Sequence, residues 1–135
     1  MIVAVRRGGE FLVLHRAPRY DAYWHLVAGA EEPGESAAQA AARELREETG
    51  LDPADMLVDL GRTFTYALAD ESPSVRERFA AATAEVVVAC FTVEAPPLWE
   101  PTLNEEHDEY RWCDVDQAEA LLYWPEPRRL LRELG

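Results

Sequence analysis

The chain contains no lysine, so all 13 of its basic residues are arginine. They face 26 Asp and Glu, which leaves a net charge of −13. Extended contact with DNA, RNA or an anionic membrane needs a basic face, and this balance supplies none. No nucleic-acid or membrane partner is therefore expected, and a polyanionic small molecule would need local arginines or divalent cations to bind. Long apolar runs are missing too. The longest, Val86–Phe91, is far short of the roughly 20 residues of a membrane span. The opening MIVAVRRGGE lacks the basic, apolar and cleavage regions of a signal peptide in their required order, so a cytoplasmic location is expected. Cysteine is scarce. Cys90 and Cys113 form no CxxC pair, and both read as reduced thiols acting as small hydrophobes rather than as a disulfide or metal knuckle.

What is present suits one soluble domain over residues 1–135, with 48 % hydrophobic and 29 % charged residues. Ile2–Arg6 and Phe11–His15 are short apolar runs joined by Gly8-Gly9, a hairpin signature. Trp24–Ala28 reads as a short strand, and Gly29–Glu35 as an irregular loop. Ser36-Ala-Ala-Gln39 fits a capping box, Gly50 marks a left-handed stop, and the helix is predicted over Ala37–Thr49. Leu57–Leu68 reads as one or two strands interrupted at Gly61. Thr83–Val93 is apolar on both alternate faces, as a central strand covered on both sides requires. Glu109–Cys113 is a last strand, Asp114 or Asp116 caps a helix through Leu122, and Pro127–Leu134 forms a second short helix. This pattern is an α/β sandwich of mixed sheet and helices.

At 100° per residue, Ala38, Ala41, Ala42, Leu45 and Thr49 form a narrow apolar stripe on that helix. Glu44, Glu47 and Glu48, at i, i+3 and i+4, share the other side, with Ala37 and Ala40 below them leaving open space. Like charges at this spacing repel, and the C-terminal half of a helix disfavours anions. A +2 ion among them reverses the sign. Mg²⁺ takes oxygen ligands and is commonly shared with substrate phosphates. The preceding loop ends in Glu35, and Gly29 permits close approach of backbone to ligand.

Gly29, Glu35, Arg43, Glu44, Leu45, Glu47, Glu48, Gly50 and Leu51 together spell G-x5-E-x7-R-E-L-x-E-E-x-G-L. This resembles the signature box of the Nudix hydrolases, with no position missing. The order of elements around it also resembles that family. The resemblance implies an α/β/α sandwich with one long box helix and a C-terminal helix. It also implies cleavage of a phosphoanhydride bond in a nucleoside diphosphate linked to another group, with Mg²⁺ or Mn²⁺. Carried over, Glu44, Glu47 and Glu48 are metal ligands, with the carbonyl of Ala28 as an addition. Arg43 orients Glu44, and Glu35 pairs with Arg43 or supports the metals through water. Glu47 is the first choice within the box for the base that deprotonates water.

Glu106-His107-x-x-Tyr110-x-Trp112, with Trp124 beyond, resembles the branch that hydrolyses dihydroneopterin triphosphate and related nucleoside triphosphates, so Glu106 is a fourth ligand or the base. His107 reads as a structural hydrogen-bonder. Val27-Ala28-Gly29-Ala30 stands where oxidised-nucleotide hydrolases read Pro-Gly-Gly, which points away from that group. Tyr66 is read as a core residue rather than as the marker tyrosine of dinucleoside polyphosphate hydrolases. Arg16, Arg19, Tyr20, Tyr23 and Trp24 cluster before the loop; Arg16, Arg19, Trp24 and Gly29 are the candidate substrate contacts, since Arg forks onto phosphate and aromatics stack on rings. Arg76 and Arg78 lie in a polar loop and read as solvated, with phosphate contact as the alternative. The expected product pair is a monophosphate and pyrophosphate. The rival expectations are a nucleotide-binding regulator that does not cut and, within the enzyme class, a dinucleoside polyphosphate or oxidised-nucleotide hydrolase. Homodimers are common among proteins the chain resembles, and the resemblance implies one.

Overall fold

The computed structural model describes residues 1–71, 73–77, 79 and 83–135, with only the backbone of 74 and 75. Strands β1 (Ile2–Arg7) and β2 (Glu10–Arg16) form the expected hairpin. Their alternation builds the whole molecule. Val3, Val5, Leu12 and Leu14 face one side of the sheet, and Ile2, Ala4, Phe11 and Val13 face the other. The first face is covered by α1 (Ala37–Thr49) through Ala40, Ala41 and Leu45. The second is covered by α3 (Val115–Leu121) and α4 (Pro125–Leu134) through Ala118, Leu130 and Leu131, with Leu122 between the two helices. The result is the α/β/α sandwich read from the sequence.

The sheet is mixed. Its path runs β3-β2-β1-β6-β5, where β3 is Trp24–His25, β5 is Val58–Ala67 and β6 is Glu85–Glu94. Strands β1 and β6 pair in parallel, with Ile2 opposite Cys90 and Val5 opposite Val93. Strand β7 (His107–Cys113) pairs antiparallel with β2. The described fold also holds one short helix, α2 (Pro73–Arg76). Among the described residues no helix is long and apolar enough to cross a membrane.

Three expectations are corrected. Trp24–Ala28 is not one strand. It breaks at Leu26 into β3, which pairs with β2, and β4 (Val27–Ala28), which pairs with β1. Leu57–Leu68, read as one or two strands, is a single strand over Val58–Ala67, and Gly61, at φ 65°, marks a register shift between Asp59 and Thr63 rather than an interruption. The covering of β6 begins only at Val88, because β1 reaches it from Cys90 onward; Val87 is 65 % exposed.

The helix ends are as expected. The Ser36 hydroxyl accepts from the Gln39 N–H, the Gln39 side chain accepts from the Ser36 N–H, and Gly50 is left-handed at φ 80°. The apolar stripe is displaced. Ala38 is exposed in the first turn, whereas Ala40, expected on the open side, is fully buried. The inner face runs Ala41, Leu45, Glu48, at i, i+4 and i+7, so one of the three carboxylates is a core residue.

Candidate metal and substrate cleft

The burial of the three box carboxylates separates them. The side chain of Glu48 is 3 % exposed, that of Glu44 14 % and that of Glu47 53 %. Glu44 lies across the backbone of Gly29, which leaves no room for a β-carbon there. Arg43 holds the outer carboxylates in a fork. Its Nε and Nη2 donate to the two Glu35 oxygens at 2.7 and 3.0 Å. Its Nη1 donates to Glu44 at 2.8 Å and to Glu47 at 3.3 Å, and Nη2 also donates to the Ala30 carbonyl at 2.9 Å. The hydrogen bonds to Glu35 raise the Arg43 guanidinium pKa further, and the same bonds hold the Glu35 carboxyl below the usual carboxylate range.

Glu48 is in the opposite position. Burial pushes its carboxyl well above the ordinary range, and its hydrogen bond to Glu44, the Glu44 charge and the Glu106 charge push in the same direction. Only a bond from the Ala28 backbone N–H works against them. One Glu48 oxygen, Oε2, is buried and has no hydrogen-bond partner among the described residues. His107 stands beside it, with Nε2 3.8 Å from Glu48 Oε1. Burial, followed by the nearby Arg16 charge, lowers the imidazole to about 4, so the ring is neutral at pH 7. Its other ring nitrogen, Nδ1, is buried and finds no partner among the described residues. Ligand atoms of Glu48, Glu106 and His107 all lie within 4.8 Å of one another. A buried carboxylate with an unused oxygen, between two further carboxylates and a neutral imidazole, is a donor set suited to a divalent cation. Glu106 is brought there by the chain ahead of β7, where its carbonyl accepts from the Ala17 N–H at 2.8 Å.

This cluster adjoins a cleft of about 850 Å³. Gly29, Ala28, Arg43, Glu44, Glu106 and Arg16 line one part of it, and Tyr23, His25, Phe64, Tyr66, Glu71 and Trp124 line another. Arg16 bonds the Tyr20 carbonyl at 2.8 Å and lies 5.2 Å over the Tyr23 ring.

The remaining sequence candidates lie elsewhere. Trp24 does not line the cleft. Alternation along β3 turns Tyr23 and His25 inward and Trp24 away, against His15 at 5.0 Å and under Arg111 at 4.9 Å. Arg19 is exposed over the Tyr20 ring and is not part of the lining. Arg76 is exposed in α2, also outside the lining, and Arg78 lies outside the described residues. Glu47 is exposed and held by Arg43 but is not part of the lining, and Glu105 is exposed. Tyr66, read as a core residue, is half-buried against the core and also lines the cleft with Phe64, two residues earlier on the same strand face. His25, Glu71 and Trp124 were not sequence candidates for contact. The alternation of β5 could have shown Phe64 and Tyr66 together, but nothing local places Trp124 opposite them.

A family model described as the NUDIX domain matches residues 1–134. The chain is 33 % identical to dihydroneopterin triphosphate diphosphatase of Escherichia coli over 113 residues, which covers 82 % of this chain and 72 % of that protein. It is 40 % identical over 116 residues to an octanoyltransferase of Myxococcus xanthus, covering 83 % of this chain but only 29 % of the relative's length. Among solved structures, that of the E. coli dihydroneopterin triphosphate pyrophosphohydrolase superposes with a TM-score of 0.83 at 27 % identity, covering 98 % of this chain and 90 % of that one.

Proposed function

The chain belongs to the Nudix family, and we propose that it hydrolyses a phosphoanhydride bond of a nucleoside or pterin triphosphate, releasing a monophosphate and pyrophosphate. The observation that carries this reading is the buried Glu48 carboxylate, with one oxygen unmatched, beside Glu44 and Glu106 at the edge of an 850 Å³ cleft. Glu44, Glu47, Glu48 and Glu106, with the Ala28 carbonyl, would hold Mg²⁺ or Mn²⁺. When bound, such an ion neutralises charge on the phosphate oxygens and makes water more acidic.

The rest of the chemistry falls to the chain's own residues. Arg43 holds Glu35, Glu44 and Glu47 in fixed relation, so that the acidic turn is aimed before substrate arrives. Glu47, the box carboxylate most open to solvent and steadied by Arg43, takes the proton from the attacking water. Arg16 supplies positive charge inside the cleft for the phosphate chain. Gly29 keeps the backbone low enough for Glu44 to pass over it. Residues 1–135 act as one catalytic unit on a small molecule in the cytoplasm, as a monomer or a homodimer.

The test is incubation with nucleoside and dihydroneopterin triphosphates and Mg²⁺ or Mn²⁺, followed by identification of products. Release of pyrophosphate and a monophosphate supports the reading. Silence across the panel overturns it, and tight nucleotide binding without product would mark a regulator.

A further inference from the structure

The part of the cleft away from the acidic turn has walls of defined geometry. Tyr66 and Trp124 lie nearly parallel, with centroids 6.3 Å apart and planes 28° from one another. Tyr23 meets Trp124 edge-on at 6.3 Å and 89°. Burial, together with the Glu71 carboxylate beside Tyr66, raises the Tyr66 phenol. Flat aromatic walls of this kind accept a flat heterocycle.

The charged groups on this side are carboxylates: Glu71, Glu85 and Glu126 line the cleft here. The arginines among the described lining residues are Arg16 and Arg43, and Arg43 is engaged by Glu35, Glu44 and Glu47, while the Met1 ammonium, also in the lining, donates to the Gly29 carbonyl. Glu85 is exposed at the start of β6, and Glu126 stands in the first turn of α4. Glu71 is the carboxylate beside Tyr66 on the ring wall. A carboxylate has about four lone-pair positions. The Tyr66 hydroxyl takes one at most, which leaves room for a pair of parallel donors.

We propose that Glu71 is a specificity-determining residue: it accepts two N–H donors from a heterocycle carrying a ring N–H next to an exocyclic amine, so the cleft selects guanine-type and pterin-type triphosphates over adenine-type ones. The inference rests on the triphosphate-hydrolase reading and adds to it the edge of the ring that is recognised. The guanine and pterin edges present these adjacent donors and match the carboxylate fork. The adenine edge puts a ring acceptor where the ring N–H should be, so two lone pairs face one another and the carboxylate goes unmatched. Hypoxanthine keeps the ring N–H and lacks the amine, and it falls between the two.

The experiment measures kcat/KM for GTP, ITP, ATP and dihydroneopterin triphosphate with the unaltered protein and with Glu71→Gln, and with Glu71→Ala as a second variant, each checked for folding by circular dichroism. Expected for the unaltered protein is a preference of about tenfold or more for GTP and the pterin over ATP, with ITP intermediate. Either substitution removes that preference: KM rises for GTP and the pterin and falls for ATP, whose ring acceptor no longer faces a carboxylate. A flat ranking, a preference for ATP, or an equal loss on all four substrates overturns the assignment. If nothing is cleaved, the hydrolase reading falls separately. Calorimetry with GDP and ADP then reads ring preference alone, and equal affinities overturn the role of Glu71.

Discussion

A β-carbon built on Gly29 would fall 2.4 Å from the carboxylate carbon of Glu44. The two residues belong to different elements, the loop after β4 and the middle of α1, and the absence of a side chain on one sets the position of the other.

The first prediction follows from that contact. In Gly29→Ala the clash is with the end of a flexible side chain, so the fold adjusts by moving Glu44 rather than the backbone. Turnover is expected to fall by about ten- to a hundredfold, as for loss of one oriented group, while Tm changes by only about 2 °C. Steady-state kinetics and a thermal melt check this. A Gly29→Ala protein with unaltered turnover would remove the cradle from the account.

Glu48 yields a prediction about ions. Its carboxyl lies well above the ordinary range in the ion-free protein. The folded state therefore binds a proton that the unfolded chain releases above about pH 4.3, and the group lowers stability as pH rises from there toward its folded value. An ion that binds the ionised form cancels this penalty. Glu48→Gln without added metal should melt at least as high as the unaltered protein at pH 7.5, and it should lose most of the Tm increase that Mg²⁺ or Mn²⁺ gives the latter. Melts with and without EDTA read both effects.

The buried imidazoles act with the reverse sign. His25 is pushed down to about 3, first by burial and then by Arg16, and His107 is pushed down to about 4. Both are neutral when folded, whereas the unfolded chain takes up protons below about pH 6.5. The stability they contribute is complete above about pH 6.5 and is lost as pH falls toward 4. Between pH 7.5 and pH 5 the Tm should fall by about 5 °C or more, and His25→Asn should flatten that slope. A slope that His25→Asn leaves unchanged would assign the acid lability elsewhere.

Arg43 provides a test of geometry against charge. Arg43→Lys keeps the positive charge but cannot reach Glu35, Glu44 and Glu47 together, because the planar fork is gone. We expect kcat to drop by about tenfold or more with KM nearly unchanged, and stability to fall by about 1 kcal/mol. Kinetics together with a denaturant midpoint measure the two effects.

The elements whose reasons are local were legible. The Ser36–Gln39 capping box and Gly50 set the limits of α1 at the observed residues because each acts within one turn. The strands were legible from alternation. The break at Leu26 was not, because β3 and β4 answer to different partners, β2 and β1, and pairing with a distant strand leaves no mark on a five-residue run. Glu48 shows a different kind of miss. Its i, i+4, i+7 relation to Ala41 and Leu45 was in plain view, but the rule that sends charge outward outweighed the periodicity. Tyr66, Glu71 and Trp124 meet only through the packing of β5, the segment after it and the C-terminal helix, so the ring wall could not be read one segment at a time.

The cluster of Glu48, Glu106 and His107 joins the middle of the chain to a segment that reaches it only when β7 has zipped onto β2 along Phe11–Arg16. A helix can coil before then, but its acidic turn has no counterpart across the gap. During refolding, helical signal should accordingly appear first, and response to added cation should emerge with the docking of the last strand, which would make cation uptake a clock for the closing step of assembly.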